Sequence, residues 1–353
     1  MYVHVPAMRG KIGSRTYYAC LMPMSAVPQL FKFTDWVGFT PEEREQRVLN
    51  ERRVPDIATY ITENEDEYLF SSITASYKGE PIYEELRNNG DGSIGTLKLK
   101  LGEELVINDG QHRCAAISEA IKQNPKLSDH TLSVLLFPWE SKERVQQMFS
   151  DLNRYVVKTS KSLDILYDRR DPISLATMVS LDHVPVFREL TEKDATSLPS
   201  KATKLFTLAA LYDANRELLR AHPDRPTSEQ AERLTQFWNE VAKNMPDWTA
   251  VLGRHKTAIE LRAEKICTHS TILRALGGIG AELIKDNIDW RDRLKALQTI
   301  DWSKKNSEWD NVCIIANSVV SNRQARAATK AFLKKKMGME LTDGEARSFS
   351  KGE

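Results

Sequence analysis

The run Leu105-Val106-Ile107-Asn108-Asp109-Gly110-Gln111-His112-Arg113-Cys114-Ala115-Ala116-Ile117 passes from an apolar triplet through a polar turn into an apolar-faced helical pattern. The triplet predicts a short buried strand. Cys114, Ile117 and Ile121 fall on one face of the following helix, and Ala115 and Ala116 permit close approach to a sheet. Asp109 is expected to cap the helix, and Gly110, lacking a Cβ, to bring backbone close to a ligand. Unpaired amides at a helix start, with the macrodipole, favour an anion. Gln111, His112 and Arg113 crowd that first turn: the Arg113 fork suits phosphate oxygens, and His112 titrates near neutral pH. Gly110, Gln111, His112 and Arg113 are therefore candidate ligands for the phosphate of a nucleotide or a DNA backbone. The alternative is a capped structural turn whose polar residues face solvent.

Working outward, residues 3–8 and 16–24 flank a turn at Arg9-Gly10-Lys11-Ile12-Gly13 and predict a hairpin. Thr40-Pro41-Glu42-Glu43 carries the start signals of a helix ending near Val54, ahead of Pro55, and 56–63 reads as a second short helix. Residues 68–77 and 95–101 alternate as strands, the second with Leu97, Leu99 and Leu101 opposite Lys98 and Lys100. Residues 133–137 predict another buried strand, and Ser141 caps a helix reaching Arg154. From about Lys201 the period is helical, over 202–220, 228–245, 258–266, 271–285, 290–299 and 322–337, with a strand signal only at 311–315. The expected fold is α+β: a mixed α/β domain over 1–175, an all-α domain over 176–340 and a flexible tail over 341–353. Asp171-Pro172, Pro185 and Pro199 punctuate the boundary region.

The chain has 353 residues, with 50 Lys and Arg against 49 Asp and Glu. A net charge of +1 excludes a histone-like or tail-driven nucleic-acid binder, so affinity for phosphate must come from local patches. Two segments are free of acids: 1–34, with Arg9, Lys11 and Arg15, and 321–339, with Arg323, Arg326, Lys330, Lys334, Lys335 and Lys336. Asn153 and Arg154 at a helix end, followed by Lys158 and Lys161, form a further basic stretch off the helix packing face. Charged residues at 28% and hydrophobic residues at 41% exclude a mainly disordered chain. Cys20, Cys114, Cys267 and Cys313 form no C-x-x-C pair, which excludes a cysteine-paired zinc knuckle and predicts buried free thiols. No apolar run is long enough for a membrane span, and the start has no apolar core of a secretion signal, so a cytoplasmic location without membrane partners is expected. Ile288-Asp289-Trp290 and Ile300-Asp301-Trp302, then Trp309, present tryptophans either for base stacking or for helix packing.

Asp109-Gly110-Gln111-His112-Arg113 is the name-giving motif of the DGQHR-domain proteins. Val5-Pro6-Ala7-Met8-Arg9-Gly10-Lys11, Tyr17-Tyr18, Arg44-Glu45-Gln46-Arg47-Val48-Leu49-Asn50, Arg53, Ile57-Ala58-Thr59-Tyr60-Ile61, Tyr68-Leu69-Phe70-Ser71-Ser72-Ile73-Thr74 and Phe149-Ser150-Asp151-Leu152-Asn153-Arg154 resemble its DndB branch. The resemblance implies a place in bacterial DNA phosphorothioation, where sulfur replaces a backbone oxygen, as a DNA-binding regulator rather than the sulfur-transfer enzyme. It also implies a ParB/sulfiredoxin-like N-terminal fold. There a Gly-x-x-Arg turn binds a nucleoside triphosphate, ATP or CTP with Mg, and an Asn-x-x-Arg segment completes the site; the adjacent Asn153-Arg154 departs from that spacing.

The expected function is thus a DNA-binding regulatory or accessory protein of phosphorothioate modification, with double-stranded DNA, other phosphorothioation proteins and a second copy of the chain as partners. Arg9, Lys11, Arg15, Lys158, Lys161, Arg323, Arg326, Lys330, Lys334, Lys335 and Lys336 are the expected DNA contacts, with Asn153 and Arg154 beside the Gly110 turn. The alternative is a ParB-like nucleotide hydrolase or a nuclease, with His112 as acid or base, Arg113 stabilising phosphoryl charge, and Asp109 as a catalytic carboxylate or, with Asp151 as the other candidate, a metal-holding one. No Walker A pattern and no H-E-x-x-H supports that alternative. A third possibility is an adaptor whose helical half docks partner proteins.

Overall fold

The computed structural model describes residues 1–31, 53–86, 92–103, 105–154, 159–220, 228–285, 290–316 and 318–350. The chain divides into two compact units, Met1–Val157 and Lys158–Glu353.

The first unit is built on a seven-stranded sheet. Its strands are β1 (Tyr2–Ile12), β2 (Arg15–Pro23), β3 (Ile73–Tyr77), β4 (Ile82–Glu85), β5 (Ile94–Lys100), β6 (Leu105–Asp109) and β7 (Thr131–Pro138), in the order β4-β5-β1-β2-β7-β3-β6. Every pairing is antiparallel except β3 with β7. The expected hairpin extends to its tip, where Ile12 faces Arg15 and Gly13 takes a φ of +59°, open to glycine at little cost. In β5, Leu97 and Leu99 are buried, as the alternation predicts. The described helices are α1 (Val27–Leu30), α2 (Arg53–Glu63), α3 (Gln111–Gln123) and α4 (Lys142–Arg154). Pro55 lies inside the first turn of α2 instead of ahead of it, because a helix's first N–H groups have no partner to lose. The helix expected from Thr40 lies outside the described residues. The strand expected over 68–77 begins only at Ile73; Tyr68 and Phe70 instead meet each other at 5.5 Å between ring centres.

The second unit is mostly helical, with α5 (Lys161–Tyr167), α6 (Pro172–His183), α7 (Pro185–Leu190), α8 (Leu208–Leu219), α9 (Ser228–Lys243), α10 (Pro246–Leu252), α11 (Ala258–Glu264), α12 (Ser270–Lys285), α13 (Trp290–Leu294), α14 (Arg323–Lys336) and α15 (Asp343–Ser350). Its described strands are two-residue pairings, Thr191–Glu192 with Phe206–Thr207 and Ile314–Ile315 with Ser318–Val319. Helix α8 starts six residues later than the periodicity predicts, because the Thr207 side chain accepts the Ala210 amide and caps it there. Gly277 lets α12 pack directly on α8: a Cβ would lie 2.1 Å from the Ala214 carbonyl oxygen. Trp302 and Trp309 are buried and stacked at 5.5 Å, which makes them core residues and not a base-stacking surface. In place of the expected flexible tail, Asp343–Ser350 is helical, and Glu345 anchors it to Lys334 at 2.7 Å. The mixed α/β half followed by a largely helical half is the architecture the sequence predicts.

Candidate functional site

Strand β6 is an edge of the sheet, and beyond Asp109 the chain turns at Gly110 into α3. Gly110 has a φ of +104°, a region costly for any residue with a Cβ. An added Cβ would also meet Ile73 Cγ1 at 3.1 Å and Arg113 Nη2 at 3.3 Å. Gly110 is the N-cap, with no side-chain cap. The expected capping role of Asp109 is therefore corrected: its Oδ2 instead accepts from Arg113 Nη2 at 2.5 Å, a pairing that i,i+4 spacing favours.

Arg113 Nη1 donates to the Ser71 carbonyl at 2.5 Å, to the Ser72 carbonyl at 3.1 Å and to the Ser71 hydroxyl. With 16% of its side chain exposed, Arg113 ties α3 to the segment entering β3, and Asp109 balances its charge. The fork that the sequence offers to a phosphate is thus occupied. His112 is half-buried, and burial, then the charge of Arg53, lowers its pKa, which favours the neutral imidazole. Gln111 is half-buried beside it. Cys114 faces the core, and burial pushes its thiol up to about 12, the signature of a packing residue. Asn153 donates to the Phe149 carbonyl of its own helix at 2.8 Å, and Arg154 is exposed at the end of α4. Helix α4 approaches β6 where Asn108 Nδ2 meets the Met148 sulfur at 3.9 Å. Among the described residues no group of three or more His, Cys, Asp or Glu gathers to hold a metal ion.

The expected DNA contacts divide by what already holds them. Arg9 pairs with Glu85 at 2.8 Å and Arg15 with Glu140 at 3.2 Å, while Lys11 stands exposed near the hairpin tip. Lys161 pairs with Asp213 at 2.7 Å; Lys158 lies outside the described residues. On α14, Lys336 pairs with Glu308 at 2.5 Å, and Lys335 is exposed. Lys330 pairs with Glu282 and with Glu345 at 3.1 Å. Lys334 is 3% exposed, between Glu282 at 2.8 Å and Glu345 at 2.7 Å, so its expected place on a DNA-facing surface is corrected. Burial alone would raise the Glu345 pKa, but hydrogen bonds from Lys334, the Thr342 amide and Lys330 bring it down to about 2.

Arg323 and Arg326 have no ion pair among the described residues. They line a groove of about 620 Å³ with Lys330, Arg220, Arg274 and Lys285. Among the described residues two carboxylates, Glu217 and Glu282, face these six cations. Arg274 is itself a brace, bonded to Asp213 at 3.3 Å and Glu217 at 3.2 Å, whereas Arg220 is 82% exposed and meets Glu217 only at 3.7 Å. Sequence reading missed Arg220, Arg274 and Lys285, which lie on helices read for their apolar face. The available signal was Arg274, Gly278, Glu282 and Lys285, spaced to share one face of α12.

No helix among the described residues is long and apolar enough to cross a membrane. A search of the curated proteins and one of the solved structures find no match to the chain. A protein-family model, DndB, described as DNA-sulfur modification-associated, matches residues 5–340 and so extends through both units.

Proposed function

Because the chain belongs to the DndB family of DNA-sulfur modification-associated proteins, we propose that it binds double-stranded DNA as a regulatory or accessory protein of phosphorothioate modification and controls transcription of its own gene cluster. The observation that carries this reading is the groove lined by Lys285, Arg323 and Arg326, none of them ion-paired among the described residues, in a chain whose net charge is only +1. A duplex presents a dense row of phosphates, and cations without carboxylate partners gain most from displacing its counterions. Phosphate contacts of this kind position a protein on DNA, while base edges supply sequence preference. Exposed Lys11 at the hairpin and Arg154 at the end of α4 are candidate outlying contacts.

The test is fluorescence anisotropy with a labelled duplex across a salt titration. Each lost phosphate contact reduces the slope of log K against log[salt] by about 0.9. Arg323→Ala with Arg326→Ala should therefore weaken binding and flatten the slope by about 2. Parental affinity and slope in that variant would remove the groove from the interface.

A further inference from the structure

The second unit holds another cavity, of about 570 Å³, which shares no lining residue with the α14 groove. Arg262, Lys265, His269 and Lys304 line it, and none of its described lining residues is a carboxylate. Among the described residues only one of the three full cations is paired with an acid: Lys265 holds Asp247 at 2.6 Å. Arg262 donates to the carbonyls of Pro199, Ser200 and Ala202, the last at 2.6 Å, and its Nε is buried with no hydrogen-bond partner. Lys304 Nζ donates to the Arg262 carbonyl at 2.7 Å. Two positive charges are therefore held together by backbone dipoles, without a carboxylate on either among the described residues.

The groups around them respond to that imbalance. Burial, then the charge of Arg262, lowers the Lys304 pKa, and burial, then the charge of Lys304, lowers that of His269. The sixteen-residue helix α12 begins at Ser270, on the cavity wall, and adds the positive end of its dipole. The buried Thr207 hydroxyl accepts the Ala210 amide, which leaves its proton to donate. Leu205, Phe206 and Ile266 supply an apolar wall. A carboxylate would answer one of the two uncompensated charges; a phosphate monoester, with close to two negative charges at neutral pH, answers both. The volume lies within the range of small-molecule sites, about 300–1,000 Å³.

We propose that this cavity binds a phosphate monoester of about mononucleotide size, its phosphate against Lys304, Arg262 and the start of α12 and its organic part against Leu205, Phe206 and Ile266. The full chain is titrated calorimetrically with AMP, inorganic phosphate and adenosine. AMP should bind, inorganic phosphate more weakly, and adenosine not at all. Arg262 also secures the backbone at 199–202, so Lys304 is the residue to change. Lys304→Gln, folded by circular dichroism, should weaken AMP at least tenfold, and Lys304→Arg should restore most of it. Arg323→Ala with Arg326→Ala should leave AMP binding unchanged, which separates this site from the DNA groove. Absence of AMP binding, undiminished binding in Lys304→Gln, or adenosine binding as tightly as AMP overturns the proposal.

Discussion

Arg113 reaches back from the first turn of α3 to carbonyls 41 and 42 residues earlier, while Asp109 holds its other terminal nitrogen. Removing it leaves a carboxylate and two carbonyls to find new partners. Arg113→Ala should therefore cost about 2 kcal/mol of unfolding free energy, measured by urea denaturation. The same change in an Asp109→Asn background should cost less, because the pair is coupled. Equal costs in the two backgrounds would mean that Asp109 contributes nothing through Arg113. The type and spacing of these residues were legible in the sequence, and so was the need for glycine at 110. That the guanidinium turns inward was not, because Ser71 and Ser72 carry no signal that their carbonyls lie within its reach. His112 adds a pH dependence with a definite sign. Its folded-state pKa is lowered from the ordinary 6.5, so the unfolded chain takes up the proton more readily. Stability is undiminished above pH 6.5 and falls as pH drops through the folded value, and His112→Gln should reduce that loss in thermal melts.

Helix α14 reads in sequence as a basic stripe, and its burial was legible only in part. Ala325, Ala328 and Leu333 mark the inward face, as periodicity predicts. Lys334 joins that face because Glu282 on α12 and Glu345 on α15 meet it there. Lys334→Ala should destabilise by about 3 kcal/mol, since it removes the buried cation between two carboxylates and leaves only Lys330, among the described residues, to hold both. Glu345, with its pKa near 2, contributes stability that is complete above its ordinary 4.5 and disappears as pH falls toward 2. Glu345→Gln should remove that part of the acid transition, and an unchanged acid profile would show that the network is not coupled to folding. Gly277, Gly278 and Gly280 look like interruptions of α12 when read alone. In the fold, Gly277 lies against the Ala214 backbone and Gly280 beneath the Phe237 ring, with 2.1 and 2.7 Å left for a Cβ. Gly277→Ala should cost about 2 kcal/mol or more, despite alanine's better helix propensity.

For the whole chain, near-neutral charge means that binding to DNA depends on which cations the fold leaves unpaired. Lys334→Gln should lower stability yet leave the salt slope of DNA binding as it is, the reverse of Arg323→Ala with Arg326→Ala. If Lys334→Gln flattens the slope, the buried network itself faces DNA. The sequence by itself determined the strand–turn–helix at 105–117, the tip of the first hairpin, the helical character of the second half and the membership in a DNA-sulfur modification family. These follow from local periodicity, capping and a motif contained in a few consecutive residues. Only the tertiary structure decided which charges are spent and which are left over. Arg113, Lys330 and Lys334 are neutralised by partners close in space, while Lys285, Arg323 and Arg326 gather on one groove without an ion pair among the described residues. An ion pair is a property of distance and burial, and neither is written in the order of the residues.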